Sequence, residues 1–243
     1  MYVNIINNHE KIKSIPMFLA QCLPFWEDIG EQRRSMIVDS SIIRQYNPRE
    51  IIDSSAENRQ GFMLVWNGII KNYIVSEEGE EIFLFTVAKN EPCVLAARGL
   101  MGDSAFLPTI QAMGKSEIIC INSDVWGLLA RQIPAVGNYM LKVLASHMDK
   151  ILRAMDMQLF YSVERRLAHF VVNELRQQRI REHQKNTLNI THEELAGFLG
   201  TAREVVSRSI GRLKRRGILQ CCRGRITVLD YDALLEISKG KSA

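Results

Sequence analysis

Thirty residues, Ile190 to Leu219 (ITHEELAGFLGTAREVVSRSIGRLKRRGIL), constrain the fold more than any other part of the chain. They predict two short helices joined by a tight turn. Thr191 can accept the backbone N–H three residues on while Glu194 reaches back, a reciprocal cap that starts the first helix. Leu195, Ala196, Phe198 and Leu199 form its apolar side, and Gly200 stands where a left-handed turn residue is wanted. Thr201 with Glu204 repeats the capping pattern for the second helix. Val205, Val206, Ile210 and Leu213 give that helix a buried stripe. Gly217 closes it, after Lys214, Arg215 and Arg216, whose charges suit the negative end of the helix dipole.

So short a turn makes the helices cross steeply, with Ala196, Gly200 and Val206 as the small or β-branched residues between them. This is the pattern of a helix-turn-helix. Arg203, Glu204, Ser207 and Arg208 are left on the outer face, where they reach base edges if the helix lies in a major groove. Arginine can bond guanine bidentately and glutamate can accept from cytosine. Thr201 and Arg212 complete the candidate contacts on this pair. Glu204 has two readings, as a cap or as a base reader, and they stay open together. The competing picture, a helical hairpin with a solvated charged face, leaves the two caps and the turn glycine unexplained. Leu219 to Leu229 (LQCCRGRITVL) then puts two β-prone runs around Arg223-Gly224-Arg225, a hairpin signal. A hairpin here would be a wing with Arg223 and Arg225 near phosphates; an ordinary polar turn is the equal alternative.

Charge is divided accordingly. Residues 163–243 hold 16 Lys and Arg against 9 Asp and Glu, whereas residues 1–162 hold 15 against 18. The basic end is where a polyanion would bind, with a salt-dependent affinity. No stretch is long and apolar enough to span a bilayer, and the N-terminal residues lack a secretion-signal pattern, so a cytoplasmic protein is expected. The five cysteines, Cys22, Cys93, Cys120, Cys221 and Cys222, have no CxxC spacing. No metal site is expected from them.

Ahead of the basic end the pattern predicts one helix over 24–39, buried through Phe25, Trp26, Ile29, Met36 and Ile37. Short strands follow at 41–46, 50–54, 61–66, 68–76, 80–87, 93–97 and 116–121, which suggests a sandwich or barrel. Pro134 opens a long helix in which Leu141, Leu144, Met148, Ile151 and Met155 recur at steps of three and four, a seam suited to a two-stranded coiled coil. Packing of the stripe on the chain's own barrel is the alternative. A further helix is predicted over 163–178, with a hinge near 159–162.

The segments VERRLAHFVVNEL (163–175) and ITHEELAGFLGTAREVVSRSIGRL (190–213) resemble the Crp/Fnr family of bacterial transcription regulators, and LVWNGIIKNYIVSEEGEEIFLF (64–85) resembles its barrel more loosely. The resemblance implies an α+β chain in three parts. These are a cyclic-nucleotide-binding-like β-roll (a double-stranded β-helix) over 1–133, a dimerisation helix and hinge over 134–162, and a winged helix-turn-helix over 163–243. It implies a homodimer that binds an inverted repeat of double-stranded DNA. Arg203, Glu204 and Arg208 would read TGTGA-like half-sites, Ser207 would approach a base, and RNA polymerase would be recruited.

The sensor half departs from the best-known relatives. The Gly-Glu-Leu and Arg-Ser-Ala segments that hold cyclic AMP are replaced by Cys93-Val94-Leu95-Ala96-Ala97 and by Pro108-Thr109-Ile110-Gln111-Ala112. The adenine-contacting Thr-Ser pair falls on Ile151 and Leu152. A buried phosphate without a cation is costly, so cyclic AMP is disfavoured. The expected pocket, Cys93, Val94, Leu95, Ala96, Ile151 and Leu152, suits an apolar or aromatic effector of unknown identity, and no cofactor is predicted. An iron–sulfur cluster would need an N-terminal cysteine cluster, and Cys22 stands alone. A haem- or redox-responsive regulator of the same fold is the alternative, with His147 and Cys93 as the residues on offer for haem; packing is the plainer role for both. A cupin-like enzyme would need several barrel histidines, which residues 11–140 lack; no catalytic residue is expected. A module whose basic domain docks protein instead of DNA is the third reading.

Overall fold

The computed structural model describes residues 4–5, 9–52, 60–79, 81–93, 108–181, 186–222 and 224–240. Its elements run β1 (Asn4–Ile5), α1 (His9–Cys22), α2 (Glu31–Asp39), β2 (Ser41–Tyr46), β3 (Gln60–Asn67), β4 (Ile69–Val75), β5 (Glu81–Ala88), β6 (Pro92–Cys93), β7 (Thr109–Ala112), β8 (Ser116–Asn122), α3 (Ser123–Gln132), α4 (Pro134–Phe160), α5 (Val163–Arg181), β9 (Thr187–Asn189), α6 (His192–Leu199), α7 (Arg203–Arg215), β10 (Leu219–Cys222), β11 (Arg225–Val228) and α8 (Tyr231–Ser238). The chain packs as two compact units. One is Met1–Val75 with Leu84–Leu152, the other Ser76–Phe83 with Arg153–Ala243.

The first unit is built on two antiparallel sheets, of order β1-β2-β8-β3-β6 and β5-β4-β7. Its central strands are near-continuous apolar runs because both of their faces are covered. Along β3, Phe62 and Leu64 point one way and Met63 and Val65 the other; along β8, Ile119 and Ile121 oppose Ile118 and Cys120. The first set packs on α1, α2, α3 and the start of α4, where Phe62 stacks on Trp126 with ring centroids 3.8 Å apart. The second set faces the other sheet and closes a core with Ile70, Phe85, Val87 and Ile110. Gly61 must be glycine: a Cβ there would collide with the backbone of Ile121 and Ser123.

The expected single helix over 24–39 is two pieces. Pro24–Ile29 is a turn segment, and Gly30, at φ 77°, precedes α2. Phe25, Trp26 and Ile29 are buried as expected, but from a turn. The strand expected at 50–54 reduces to a single bridge, Ile51 to Gln111, and residues 53–54 lie outside the described ones. Only Pro92–Cys93 is described of the strand near 93–97. The sequence pattern does not predict β1, α1, α3, β7, β9 or α8.

In the second unit, Leu167, Val171 and Leu175 of α5 meet Leu195, Leu199, Val206, Ile210 and Leu213, with Leu219, Ile226 and Val228 of the hairpin and Leu234 and Ile237 of α8. The hairpin pairs Leu219 with Val228 through Cys222 with Arg225, and β9 adds a third strand beside β11. Tyr161 and Ser162 separate α4 from α5, inside the expected hinge.

Candidate nucleic-acid interface

The first cap forms as the residues require. Thr191 Oγ1 accepts from the Glu194 N–H at 3.2 Å, and Glu194 Oε2 accepts from the Thr191 N–H at 2.8 Å. Gly200 takes the left-handed conformation at φ 56° and returns its N–H to Ala196. The second expected cap is absent. α7 starts one residue later, with Ala202 as its N-cap and no side-chain cap bond, so Thr201 and Glu204 do not form a box. That leaves the Glu204 side chain exposed.

Two faces of α7 then separate cleanly. Val206, Ser209, Ile210 and Leu213 are buried, while Arg203, Glu204, Ser207 and Arg208 are exposed. Steps of four residues link Arg203 to Ser207 and Glu204 to Arg208, so the four share one face. Thr201 is partly buried ahead of them. Arg212 is engaged within the domain: its Nε donates to Glu164 Oε2 at 2.9 Å and its Nη2 to Ser209 Oγ at 3.2 Å. Arg225 is exposed at the start of β11; Arg223 lies outside the described residues.

Of the expected effector pocket, Val94, Leu95 and Ala96 also lie outside the described residues. Cys93 is buried with its Sγ 3.8 Å from Asn72 Oδ1, and Ile151 packs on the barrel core. Leu152 corrects the expectation. It is 55% exposed, because α4 turns it away from the side that carries Ile151 and the buried His147. Leu144 likewise rests on the first unit's own core. The exposed large apolar residues of α4 are Leu141, Met148, Leu152, Met155, Leu159 and Phe160; the first five form a stripe that includes Leu152 and Leu159 where the sequence pattern placed Leu144 and Ile151.

His147 is stacked on Phe85 at 4.8 Å. Burial lowers its pKa to about 4, with Lys150 acting in the same direction. Burial also pushes the thiols of Cys22 and Cys120 up, to about 11 and about 12, and raises that of Cys221. Such thiols are poor nucleophiles, because the thiolate is the reactive form. Among the described residues no three His, Cys, Asp or Glu side chains converge as a metal site, and no helix is long and apolar enough to cross a membrane.

Residues 165–237 match the model of the Crp-like helix-turn-helix domain. The chain is 25% identical to the anaerobic regulatory protein of Pasteurella multocida over 222 residues, 89% of this chain and 79% of that protein. It is also 25% identical to the fumarate and nitrate reduction regulatory protein of Escherichia coli over 226 residues, 89% of this chain and 86% of that one. A crystal structure from Eubacterium rectale, described as a transcriptional regulator of the Crp/Fnr family, superposes with a TM-score of 0.81 at 27% identity, covering 90% of this chain and 99% of that one. These relatives are named as regulators rather than enzymes. The chain thus carries a Crp-like helix-turn-helix domain over residues 165–237, and over about nine-tenths of its length it is similar in sequence and fold to Crp/Fnr-type transcription regulators.

Proposed function

We propose that the protein regulates transcription as a homodimer that binds an inverted repeat of double-stranded DNA, with a small molecule other than cyclic AMP as its effector. The observation that carries the DNA reading is the exposed Arg203, Glu204, Ser207 and Arg208 face of α7, set opposite a fully buried stripe. Arg203 and Arg208 supply bidentate donors for guanine, Glu204 an acceptor for cytosine, and Ser207 an adaptable hydroxyl. Arg225 would hold a phosphate. Residues 163–243 would be the DNA-binding part, 134–162 the dimerising helix and 1–133 the sensor.

Support for the dimer comes from α4. Leu141, Met148 and Met155 recur every seven residues, as do Leu152 and Leu159, all exposed in the single chain. Such a stripe suits the seam of a two-stranded coiled coil, and it is a large apolar surface for a monomer to leave in water. Recruitment of RNA polymerase is part of the same proposal.

Selection from a random pool of duplex DNA with the purified full chain tests it. Enrichment of an inverted repeat of TGTGA-like half-sites is the expected result. Binding without sequence enrichment, with or without candidate effectors, would overturn it.

A further inference from the structure

The inner face of the barrel is less apolar than the sequence suggests. Arg44, on β2, is only 6% exposed, and Asn72, on β4, is fully buried. Arg44 pairs with Ile118 on β8, and its strand neighbour Ile42 pairs with Cys120. Paired residues of an antiparallel ladder share a face, so Arg44 lies on the same side as Ile118 and Cys120. Met63 pairs with both Cys120 and Cys93, which extends that face to β6. From the opposite sheet, Asn72 Oδ1 reaches to 3.8 Å of Cys93 Sγ. The charge of Arg44 acts on the Cys120 thiol, and Cys93 acts on it too. Five strands, β2, β8, β3, β6 and β4, thus bring Arg44 and Asn72 to one interior, walled by Met63, Val65, Ile70, Phe85 and Ile110.

Neither polar group is fully satisfied there. Nε and Nη1 of Arg44 and Nδ2 of Asn72 are buried and have no hydrogen-bond partner. Arg44 forms no ion pair with any described carboxylate. A buried guanidinium without a counter-charge is among the most costly arrangements a core can hold. Two unpartnered donors from opposite sheets, both nine-tenths buried or more, mark a place where an acceptor belongs.

We propose that the barrel interior binds a small organic acid, one carboxylate on an apolar body, with Arg44 holding the carboxylate and Asn72 donating to it or to an adjacent oxygen. This rests on the reading of the barrel as a small-molecule sensor and names the class of molecule. Arg44 carries a single positive charge, and a planar carboxylate matches the guanidinium fork. A dianionic phosphate would remain half neutralised at this position. The apolar wall takes the rest of the molecule.

Thermal unfolding of the full chain with benzoate, phenylacetate, 3-methylbutanoate and 4-methylpentanoate, each beside its neutral primary amide, tests the proposal. Inorganic phosphate is run as a separate arm. Acids from this set are expected to raise the unfolding midpoint, and the amides and phosphate are not. Arg44→Met is expected to leave the unliganded midpoint unchanged or higher, since an unpaired charge is gone, and to weaken acid binding at least tenfold. Asn72→Leu should weaken it less. Binding of the amides as tightly as the acids, or an acid response that survives Arg44→Met, would overturn the proposal and leave the sensor reading standing. A response to phosphate alone would also overturn it. Failure of every probe would count against both. An Arg44→Met chain that no longer folds would show that Arg44 is structural and end the proposal.

Discussion

The carboxylate of Glu164 lies 2.9 Å from Nε of Arg212, and its second oxygen accepts from Arg216 Nη1 at 3.0 Å. One acidic residue at the start of α5 therefore ties down two cations at the end of α7. Glu164 also sits in the first turn of its own helix, where a negative charge is favoured. Glu164→Gln is expected to cost little stability, about 0–1 kcal/mol, because the Arg212 side chain is half exposed and the pair is partly screened. Its effect should be on DNA. Arg212 can then reach a phosphate, and the log–log salt slope should steepen by about 0.9 for each phosphate neutralised. Fluorescence anisotropy across a salt series reads this directly, and an unchanged slope would mean the clamp is irrelevant to binding.

Arg208 and Arg225 should fail in different ways. Arg208→Ala is expected to lose roughly 1–3 kcal/mol on the preferred site and to relax the base preference at one position of each half-site. Arg225→Ala should weaken all DNA about equally and lower the salt slope by about 1, as removal of a phosphate-binding cation does. Competition binding on matched and mismatched duplexes separates the two. A uniform loss for Arg208→Ala would move that residue from base reading to phosphate positioning.

What is legible in the sequence depends on whether the signal is local. The α7 face follows from spacing alone, because Val206, Ile210 and Leu213 fix which side is buried and the arginines fall opposite. β2, β3 and β8 are legible from apolar runs between turn residues. α1 is not, since Pro16 inside it removes a helical N–H and interrupts the pattern. Pro24–Ile29 misleads in the other direction: Phe25, Trp26 and Ile29 have helical spacing but are buried from a turn. The periodicity of α4 puts two residues of the stripe in the wrong positions, because Leu144 and Ile151 are claimed by the chain's own cores. The Glu164 clamp joins residues 48 and 52 positions apart, and the unsatisfied state of Arg44 is a property of the packed barrel. Neither leaves a trace in local sequence.

Gly61 should tolerate no side chain. An added Cβ would meet the Ile121 carbonyl and the Ser123 amide, which are backbone atoms that cannot rotate aside. Overpacking of this kind costs about 1–3 kcal/mol and more where backbone must shift. Gly61→Ala is expected to lower the urea midpoint of the full chain by at least that much in free energy. Wild-type stability would show that β3 and the β8–α3 junction part without cost.

His147 makes stability depend on acid. Its pKa falls from 6.5 to about 4 in the folded chain, where it is stacked on Phe85 and neighboured by Lys150, Glu91 and the Pro92 backbone. The unfolded chain therefore takes up a proton first as pH drops. The contribution is complete above the unfolded value of about 6.5, and it is lost as pH falls toward 4. The slope from this one group approaches about 1.4 kcal/mol per pH unit in that window. Urea unfolding at a series of pH values, compared with His147→Leu, isolates it. The variant should lose that part of the slope, and identical slopes would mean that another group carries the acid sensitivity.

The α4 stripe sets the last expectation. Met148 and Leu152 are exposed in the single chain, at positions the proposed coiled coil would bury. Replacing both with arginine puts like charges across a two-fold seam, where they face their own copies. Leu144 and Val143 hold the same helix to its own unit from the other side, so the fold should persist. Sedimentation is expected to show a dimer for the wild-type chain and a monomer for the Met148→Arg, Leu152→Arg variant, with an unchanged circular dichroism spectrum. Affinity for an inverted repeat should collapse toward that for a single half-site, because the second half-site no longer benefits from the linked copy. A variant that stays dimeric would place the interface elsewhere and return Met148 and Leu152 to the status of ordinary exposed side chains.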